Sequence, residues 1–245
     1  MINRNRSTLF YLALIVLLYA CQNKSTQASP PSVQVSSAMK NVMWKGELAG
    51  KLQLDSLVAQ GPIYGLGPLE YLQGELLLFN GKAFVSKVAS DSTMEVFQDQ
   101  QAKAPFFVYS RVPKWVEIVI PDSLHNIAQL ETFLSQQTQK IDHAFAFKLK
   151  GKIESAEIHI QNLPEGTDVS SPTEAHQGQV NYKLGQEDVN LLGFFSTKHQ
   201  GVFTHHDTYV HLHLISTDLQ KMGHLDAVRF SSSEMTLYLP EGLLD

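Results

Sequence analysis

Cysteine, charge and histidine are all scarce or unevenly used in this sequence of 245 residues. The single cysteine, Cys21, excludes a disulfide framework, so the fold must rest on core packing or a metal. Charged residues make up only 18%, and the 19 basic residues form no cluster against the 24 acidic ones. A net charge of −5 without a basic patch lacks the electrostatic footprint of phosphate-backbone binding, so no nucleic acid partner is expected. The 43% of hydrophobic residues indicates a folded globular protein.

The N-terminal apolar run, Leu9 to Ala20, is too short to span a bilayer comfortably. It follows a basic start, so residues 1–20 have the form of a signal peptide. The sequence Leu-Tyr-Ala-Cys at its end resembles the bacterial lipobox, in which the cysteine is acylated. We therefore expect an exported lipoprotein of a bacterial cell envelope, anchored to the membrane through Cys21; the alternative is an uncleaved N-terminal anchor. Residues 21–40 are rich in Ser, Gln and Pro and are predicted to form a flexible tether.

From Val42 onward, short apolar runs bounded by Gly, Pro and Asn predict strands rather than long helices. The pair Asn80-Gly81 predicts a two-residue hairpin turn, because both residues tolerate positive φ. One helix is predicted from Asp122 to Gln139, with Asp122 and Ser123 as candidate N-caps. The predicted fold is α+β and mostly β, with two sheet-rich halves and a few helices. The halves are an N-terminal one at 41–160 and a C-terminal one at 161–245.

Histidine is absent before His125, although the chain contains 10, and six of them fall in one short C-terminal stretch. In a strand over 208–216, His211 and His213 share one face because side chains alternate. A turn after this strand would return a second strand antiparallel and pair position 213 with His224. Three neutral imidazoles with an open fourth position are the layout of a catalytic zinc site on a strand hairpin. The alternative is a set of core or surface histidines, because short motifs of this kind also arise by chance.

Three segments resemble one family. The stretch VHLHLISTDLQKMGHLDAV at 210–228 resembles the metal-binding segment of the alpha-acetolactate decarboxylases, in which an H-x-H pair is followed by a third histidine in a similar context. Residues 46–84 resemble the family's N-terminal run of a Gly-x-Gly, an L-x-G-E and an N-G turn. LYLPEG at 237–242 is similar to the strand that follows the metal hairpin. The resemblance covers most of residues 42–242.

The resemblance implies an enzyme that converts 2-acetolactate to acetoin, with a small-molecule substrate and Zn²⁺ as its cofactor. The family's zinc ligands fall on His211, His213 and His224, and its catalytic glutamate falls on Glu75. Without the resemblance, the sequence predicts that Glu75 is an exposed strand carboxylate next to a hairpin. The family is often dimeric, so a homodimer is one expected assembly.

The sequence departs from the family pattern at His159, where the resemblance implies an arginine that holds the substrate carboxylate. His159 is the candidate for this role. Pro68 stands where the family has threonine, and a family tail with another active-site glutamate would begin near Asp245. The missing arginine leaves an alternative open, a non-catalytic zinc-stabilised lipoprotein that binds a small hydroxy-keto acid or a partner protein. Three further histidines are predicted to be solvated loop residues: His199, His205 and His206.

Overall fold

The computed structural model of the protein describes residues 31–244. The predicted signal peptide, 1–20, and Cys21, the predicted site of the lipid anchor, lie outside these residues. The described chain is mostly β, as predicted, and its strands form two large antiparallel sheets and one small pair. Within 31–244, every helix is too short or too polar to cross a lipid bilayer.

The first sheet is built from the N-terminal part of the chain and has six strands. The order of its strands decides which side chains face the second sheet. The first eight strands are β1 (Val33–Ser36), β2 (Leu52–Gln53), β3 (Ile63–Pro68), β4 (Glu75–Phe79), β5 (Lys82–Val88), β6 (Met94–Gln98), β7 (Lys103–Ala104) and β8 (Phe107–Arg111). The six-stranded sheet has the order β1-β8-β3-β4-β5-β6, and β2 pairs with β7.

The second sheet has eight strands and contains all the remaining ones. These are β9 (Trp115–Ile118), β10 (Phe145–Ile153), β11 (Ser155–Ile160), β12 (Val180–Leu184), β13 (Glu187–Phe195), β14 (Val210–Ser216), β15 (Met222–Arg229) and β16 (Met235–Pro240). Their order in the sheet is β12-β11-β15-β14-β13-β10-β16-β9. The strands β11, β15 and β14 are therefore neighbours.

The predicted hairpin turn at Asn80-Gly81 is confirmed. Phe79 pairs with Lys82, which leaves two residues in the turn between β4 and β5. Asn80 and Gly81 have φ values of 51° and 75°, as a type I′ turn requires. The turn fixes the register of the two strands and hence the face of the sheet on which Glu75, at the start of β4, projects.

Four α-helices accompany the sheets within residues 31–244, and the predicted one is confirmed with a later start. It runs from Ile127 to Gln137, and the side chain of Asn126 accepts a hydrogen bond from the Gln129 amide at 3.0 Å. The predicted caps Asp122 and Ser123 are wrong, because the chain makes a separate turn there before Asn126 satisfies the free amides of the first helical turn. The helices are α1 (Met39–Lys45), α2 (Asp55–Val58), α3 (Ile127–Gln137) and α4 (Pro172–Ala175).

The structure divides the chain differently from the sequence prediction. Residues 33–36 of the predicted tether form β1, which pairs along its whole length with β8. The last strand of the first sheet, β8, ends at Arg111, and every later strand of the described chain belongs to the second sheet. The boundary between the two sheets is therefore near Arg111, whereas the sequence predicts it near residue 160. The reason is long-range pairing, since β10 binds to β13 and β16 while β11 binds to β12 and β15.

The two large sheets pack against each other through an apolar layer. Burial of such surface contributes roughly 25 cal/mol per Å² and is what holds one sheet on the other. The buried side chains of this layer come from both sheets, among them Leu66, Leu77 and Val108 from the first and Leu192, Phe194 and Ile215 from the second. This contact brings the start of β4 close to β14 and β15.

Candidate metal centre and the cavities beside it

A row of imidazoles crosses three neighbouring strands of the eight-stranded sheet. His213 pairs with His224 across β14 and β15, and His224 pairs with His159 across β15 and β11. Paired residues of antiparallel strands project from the same face, so the three rings stand side by side. His211 joins them from two positions earlier on β14. The predicted hairpin and its pairing of 213 with 224 are confirmed.

His211, His213 and His224 could hold a metal ion, because one nitrogen from each ring lies within 4.8 Å of the others. Nε2 of His211 is 3.1 Å from Nδ1 of His224. Nδ1 of His211 donates to the carbonyl oxygen of Phe203 at 2.6 Å, since a carbonyl can only accept. This bond fixes the tautomer and turns the Nε2 lone pair toward His224, as an outer partner of a metal-binding histidine does.

Burial keeps these three imidazoles neutral. It lowers the pKa of His213 to about 3, with a further lowering by His159 and a smaller opposing effect of the Leu76 backbone. Burial also holds the pKa values of His211 and His224 well below 6.5. A neutral imidazole offers a lone pair, which is the form that binds a metal.

The ring nitrogens of His213 are the strongest indication that a metal ion belongs between the three imidazoles. Its side chain is fully buried, and neither of its ring nitrogens has a hydrogen-bond partner within residues 31–244. An unpaired buried polar atom is costly and rare in native proteins. A metal ion would satisfy one of these nitrogens, so the residues present fit such an ion.

Glu75 approaches the triad from the other sheet. Its side chain is only 3% exposed, so the interpretation as an exposed strand carboxylate is wrong. Oε2 of Glu75 lies 3.7 Å from Nε2 of His213, and Oε1 accepts a hydrogen bond from the Gln161 amide at 3.2 Å. Gly74 precedes it with φ of +146°, where a Cβ would stand 2.4 Å from the Ser86 carbonyl oxygen. The glycine therefore permits the close approach that buries Glu75.

The burial of Glu75 also changes its protonation. Burial raises the pKa of Glu75 well above its ordinary value, and the charge of Asp226 adds to this, while the Gln161 amide opposes it. The neutral acid is therefore favoured beside neutral His213. The 3.7 Å contact is then not an ion pair, because the partners that face each other carry no opposite charges.

His159 lies at the edge of the triad. Its ring stacks on that of His224 with centroids 4.5 Å apart and an angle of 25° between the planes. Nδ1 of His159 is 2.8 Å from a carboxylate oxygen of Asp226. The structure thus brings the predicted anion-binding residue next to the imidazoles, and its role in binding a carboxylate stays a prediction.

Two cavities meet at His159, His176 and His205. The inner cavity, of about 30 Å³, lies beside the triad, and apolar side chains including Met39, Leu72 and Phe106 form part of its wall. The outer one, of about 560 Å³, opens beside it and is lined by Glu157, His159, His176, Gln179, Asn181, His205 and Asp226. A larger cavity of about 750 Å³, beside Tyr71 and Leu163, is lined by no histidine of residues 31–244.

Several residues beside the triad do not stand out in the sequence. The sequence predicts a solvated loop position for His205, whereas its ring centroid lies 5.3 Å from that of His224. His199 is half-buried and bonds to Ser196, whereas His206 is exposed as predicted. His176, Gln161 and Asp226 belong to no recognisable motif in the sequence. Asp226 follows His224 by two positions, but its carboxylate reaches His159 through an irregular pairing of β15 with β11 that the alternation of side chains does not predict.

Comparison with known proteins identifies the family of the chain. Residues 34–241 match the model of the alpha-acetolactate decarboxylase family. The alpha-acetolactate decarboxylases of Streptococcus thermophilus and Lactococcus lactis are each 25% identical to this chain over 74% of its length, and the match covers 73% and 72% of the relative.

Solved structures share the fold. A Staphylococcus aureus protein described as similar to alpha-acetolactate decarboxylase superposes with a TM-score of 0.69 at 15% identity, covering 85% of this chain and 84% of that one. Acetolactate decarboxylase from Bacillus subtilis subspecies spizizenii gives a TM-score of 0.68 at 19% identity, with 85% of each chain covered. With the family model spanning both sheets, the chain belongs to the alpha-acetolactate decarboxylase family, a family of carboxy-lyases.

Proposed function

We propose that this protein decarboxylates 2-acetolactate to acetoin, with Zn²⁺ held by His211, His213 and His224. The observation that carries the proposal is the convergence of three neutral, buried imidazoles beside a buried acid, Glu75. Neutral imidazole donors suit zinc, and three protein ligands leave a position for substrate. Family membership supports the reaction class, and the choice of zinc rests on the donor set.

The chemistry needs an electron sink and a proton. When bound, zinc would supply a Lewis acid that offsets the negative charge that develops on the substrate oxygens. As carbon dioxide leaves, the electron pair of the broken carbon–carbon bond passes to the neighbouring ketone as an enediolate. Glu75 then delivers a proton to the carbon that lost the carboxylate, which gives acetoin. Burial raises the pKa of Glu75 and so favours the protonated acid, which is the form that can give up this proton.

His159 is proposed to bind the substrate carboxylate in place of the arginine that the family resemblance implies. It borders both cavities, so a molecule bound beside the triad would reach it. A histidine offers one ring nitrogen to an anion, whereas an arginine offers a two-pronged fork. His159→Arg should therefore lower the KM for acetolactate if the longer side chain is accommodated, and equal KM values in wild type, His159→Arg and His159→Ala would exclude this role.

The direct test is acetoin production. The full chain, loaded with zinc, is incubated with racemic 2-acetolactate, and acetoin is measured against a no-protein control and against His213→Ala. Acetoin formed well above both controls is the expected result. A protein that binds zinc and yields no acetoin would instead be the non-catalytic zinc-stabilised lipoprotein, which binds a small hydroxy-keto acid or a partner protein.

The location of the protein is a separate proposal, supported by the sequence around Cys21. We propose that acylated Cys21 anchors the protein in a bacterial cell envelope. Cys21→Ser should move the protein from the membrane fraction to the soluble or unprocessed pool. Equal membrane retention would indicate an uncleaved helix instead. A homodimer also stays a prediction, to be measured by sedimentation.

A further inference from the structure

Gln161 lies directly after β11 and forms part of the wall of the inner cavity beside the imidazole triad. The residue is only 4% exposed, and its Oε1 atom has no hydrogen-bond partner within residues 31–244. A buried acceptor of this kind is costly, because it gives up hydrogen bonds to water and gains none in return. Among the described residues that line the inner cavity, Gln161 alone has a buried side-chain atom without a partner.

The other polar atoms of Gln161 are already bound. Its backbone amide donates to Oε1 of Glu75 at 3.2 Å, and its Nε2 atom donates to Oε1 of Gln179 at 3.2 Å. The amide of Gln179 donates in turn to Oδ1 of Asn181 at 2.8 Å. This row of side-chain amides directs the Nε2 atom of Gln161 toward Gln179 and leaves Oε1 as the free acceptor.

The sizes of the two cavities limit what can reach this oxygen. The inner cavity, of about 30 Å³, has room for a group of the size of one or two water molecules, whereas the outer one, of about 560 Å³, has room for a whole small molecule. Both are bordered by His159, His176 and His205. A ligand whose body lies in the outer cavity can therefore extend one small polar group inward to Gln161.

The chemistry of the oxygen decides which group this is. An amide oxygen only accepts, so its partner must be a hydrogen-bond donor. The proposed substrate, 2-acetolactate, carries a single donor, the hydroxyl on the carbon that bears the carboxylate, because its carboxylate and ketone oxygens only accept. The Oε1 atom of Gln161 and this hydroxyl are therefore complementary.

We propose that Gln161 binds the hydroxyl of a small 2-hydroxy acid by accepting its hydrogen bond, and so selects hydroxylated acids over acids that lack this group. The inference rests on the proposed function and names a specificity-determining residue for it. An acid without the hydroxyl would leave Oε1 buried and unpaired, and such a site discriminates strongly against it. Because the Gln161 backbone also holds Glu75, one residue would fix the proposed proton donor and the hydroxyl of the carbon that receives the proton.

Another use of the same oxygen is as a fourth ligand of the metal. Amide oxygens suit harder cations than the zinc that three imidazoles favour, so the observations favour binding of the hydroxyl. Zinc per chain distinguishes the two uses. Gln161→Met keeps the length of the side chain and removes both of its polar atoms, and it should leave zinc per chain unchanged.

The test compares two probes in the zinc-loaded full chain by calorimetry. The first is 2-hydroxy-2-methylpropanoate, and the second is 2-fluoro-2-methylpropanoate, in which fluorine replaces the hydroxyl and cannot donate. The wild type should prefer the hydroxy probe. Gln161→Met should weaken binding of the hydroxy probe about 10-fold, the usual scale for removing one partner of a buried hydrogen bond, and should not weaken binding of the fluoro probe. Gln177→Met, the same exchange at an exposed glutamine, is the matched control and should change neither Kd.

A second variant keeps the proposal testable if Gln161→Met does not fold. Gln179→Ala removes the acceptor that holds the Nε2 atom of Gln161, so the preference for the hydroxy probe should fall by a smaller factor. A third probe, 2-methoxy-2-methylpropanoate, tests the direction of the amides. Its ether oxygen accepts and cannot donate, so Gln161→Met should not weaken its binding.

Several outcomes would overturn the proposal: no binding of the hydroxy probe by the wild type, no preference for it over the fluoro probe, an equal loss for both probes in Gln161→Met, or a loss of zinc in that variant. An equal loss for the hydroxy and methoxy probes would mean that Gln161 presents its N–H, and would overturn the acceptor role. If Gln161→Met does not fold, an unchanged preference in Gln179→Ala decides against the proposal. A wild type that prefers the hydroxy probe in a Gln161-dependent way and yields no acetoin would overturn the proposed function alone.

Discussion

The eight-stranded sheet carries all three imidazoles of the candidate metal centre, whereas the six-stranded sheet contributes one acid, Glu75. The imidazoles come together within one hairpin, β14 to β15, whose pairing is local in the chain. Glu75 reaches His213 only because the two sheets pack together. Metal binding should therefore depend on the second sheet, and turnover on the contact between the two.

The largest effect is expected from the hairpin itself. His211→Ala and His213→Ala should each lower zinc affinity by more than the 10- to 100-fold that loss of an outer partner costs, because each removes a direct ligand. Zinc per chain is measured after dialysis by atomic emission, with exposed His206→Ala as the control. Stoichiometric zinc retained in both triad variants would end the metal assignment.

Glu75→Gln should distinguish the contribution of the six-stranded sheet to turnover from that of the eight-stranded sheet to zinc binding. The variant keeps the shape of the side chain and removes its titrating group, so zinc content and folding should survive while turnover falls roughly 100-fold or more. The measurements are acetoin formation and zinc per chain. Glu95→Gln, an exposed acid on β6 of the same sheet, is the control. Undiminished turnover in Glu75→Gln would place Glu75 outside the chemistry.

In the metal-free protein, the triad of the eight-stranded sheet and Glu75 of the six-stranded sheet should change the free energy of unfolding with pH in opposite directions. The triad has folded pKa values below 6.5, so the unfolded chain binds protons first as pH falls, and stability is lost below about pH 6.5. Each such group contributes roughly 1.4 kcal/mol per pH unit in its window. Glu75 has a raised folded pKa, so its contribution to stability is present at low pH and is lost as pH rises through that pKa.

Urea unfolding between pH 5 and pH 7 tests whether the triad and Glu75 change the free energy of unfolding in opposite directions. Glu75→Gln should steepen the gain in the free energy of unfolding with rising pH, because it removes the opposing slope. His213→Ala should flatten the gain, because it removes one of the groups that produce it. Identical slopes in the wild type and both variants would mean that these groups do not titrate differently in the folded and unfolded chains.

The smallest effect is expected at a distance from the site. Asn126→Ala removes the side chain that caps α3, which packs on the eight-stranded sheet through Leu130 and Leu134. The free energy of unfolding should fall by about 1 kcal/mol, with zinc content and turnover unchanged. Urea unfolding and zinc analysis of the variant measure both quantities. A loss of zinc would show that the triad depends on this helix.

The sequence alone determined those features that depend on short-range rules. Strand alternation put His211 and His213 on one face, and the short return to β15 paired His213 with His224. The Asn80-Gly81 turn followed from the backbone freedom of two residues. Each of these depends on neighbours in the chain, so the pattern of residue types is enough to predict it.

Tertiary structure alone decided the rest. The burial of Glu75 against His213, the approach of His205 and His176 to the cavities, and the pairing of Val33–Ser36 with β8 join residues far apart in the chain. The bulge that turns Asp226 toward His159 depends on how β15 meets β11. Such contacts are selected by the apolar area that the whole fold buries, and apolar burial is non-directional, so no local pattern in the sequence records which distant partner is chosen.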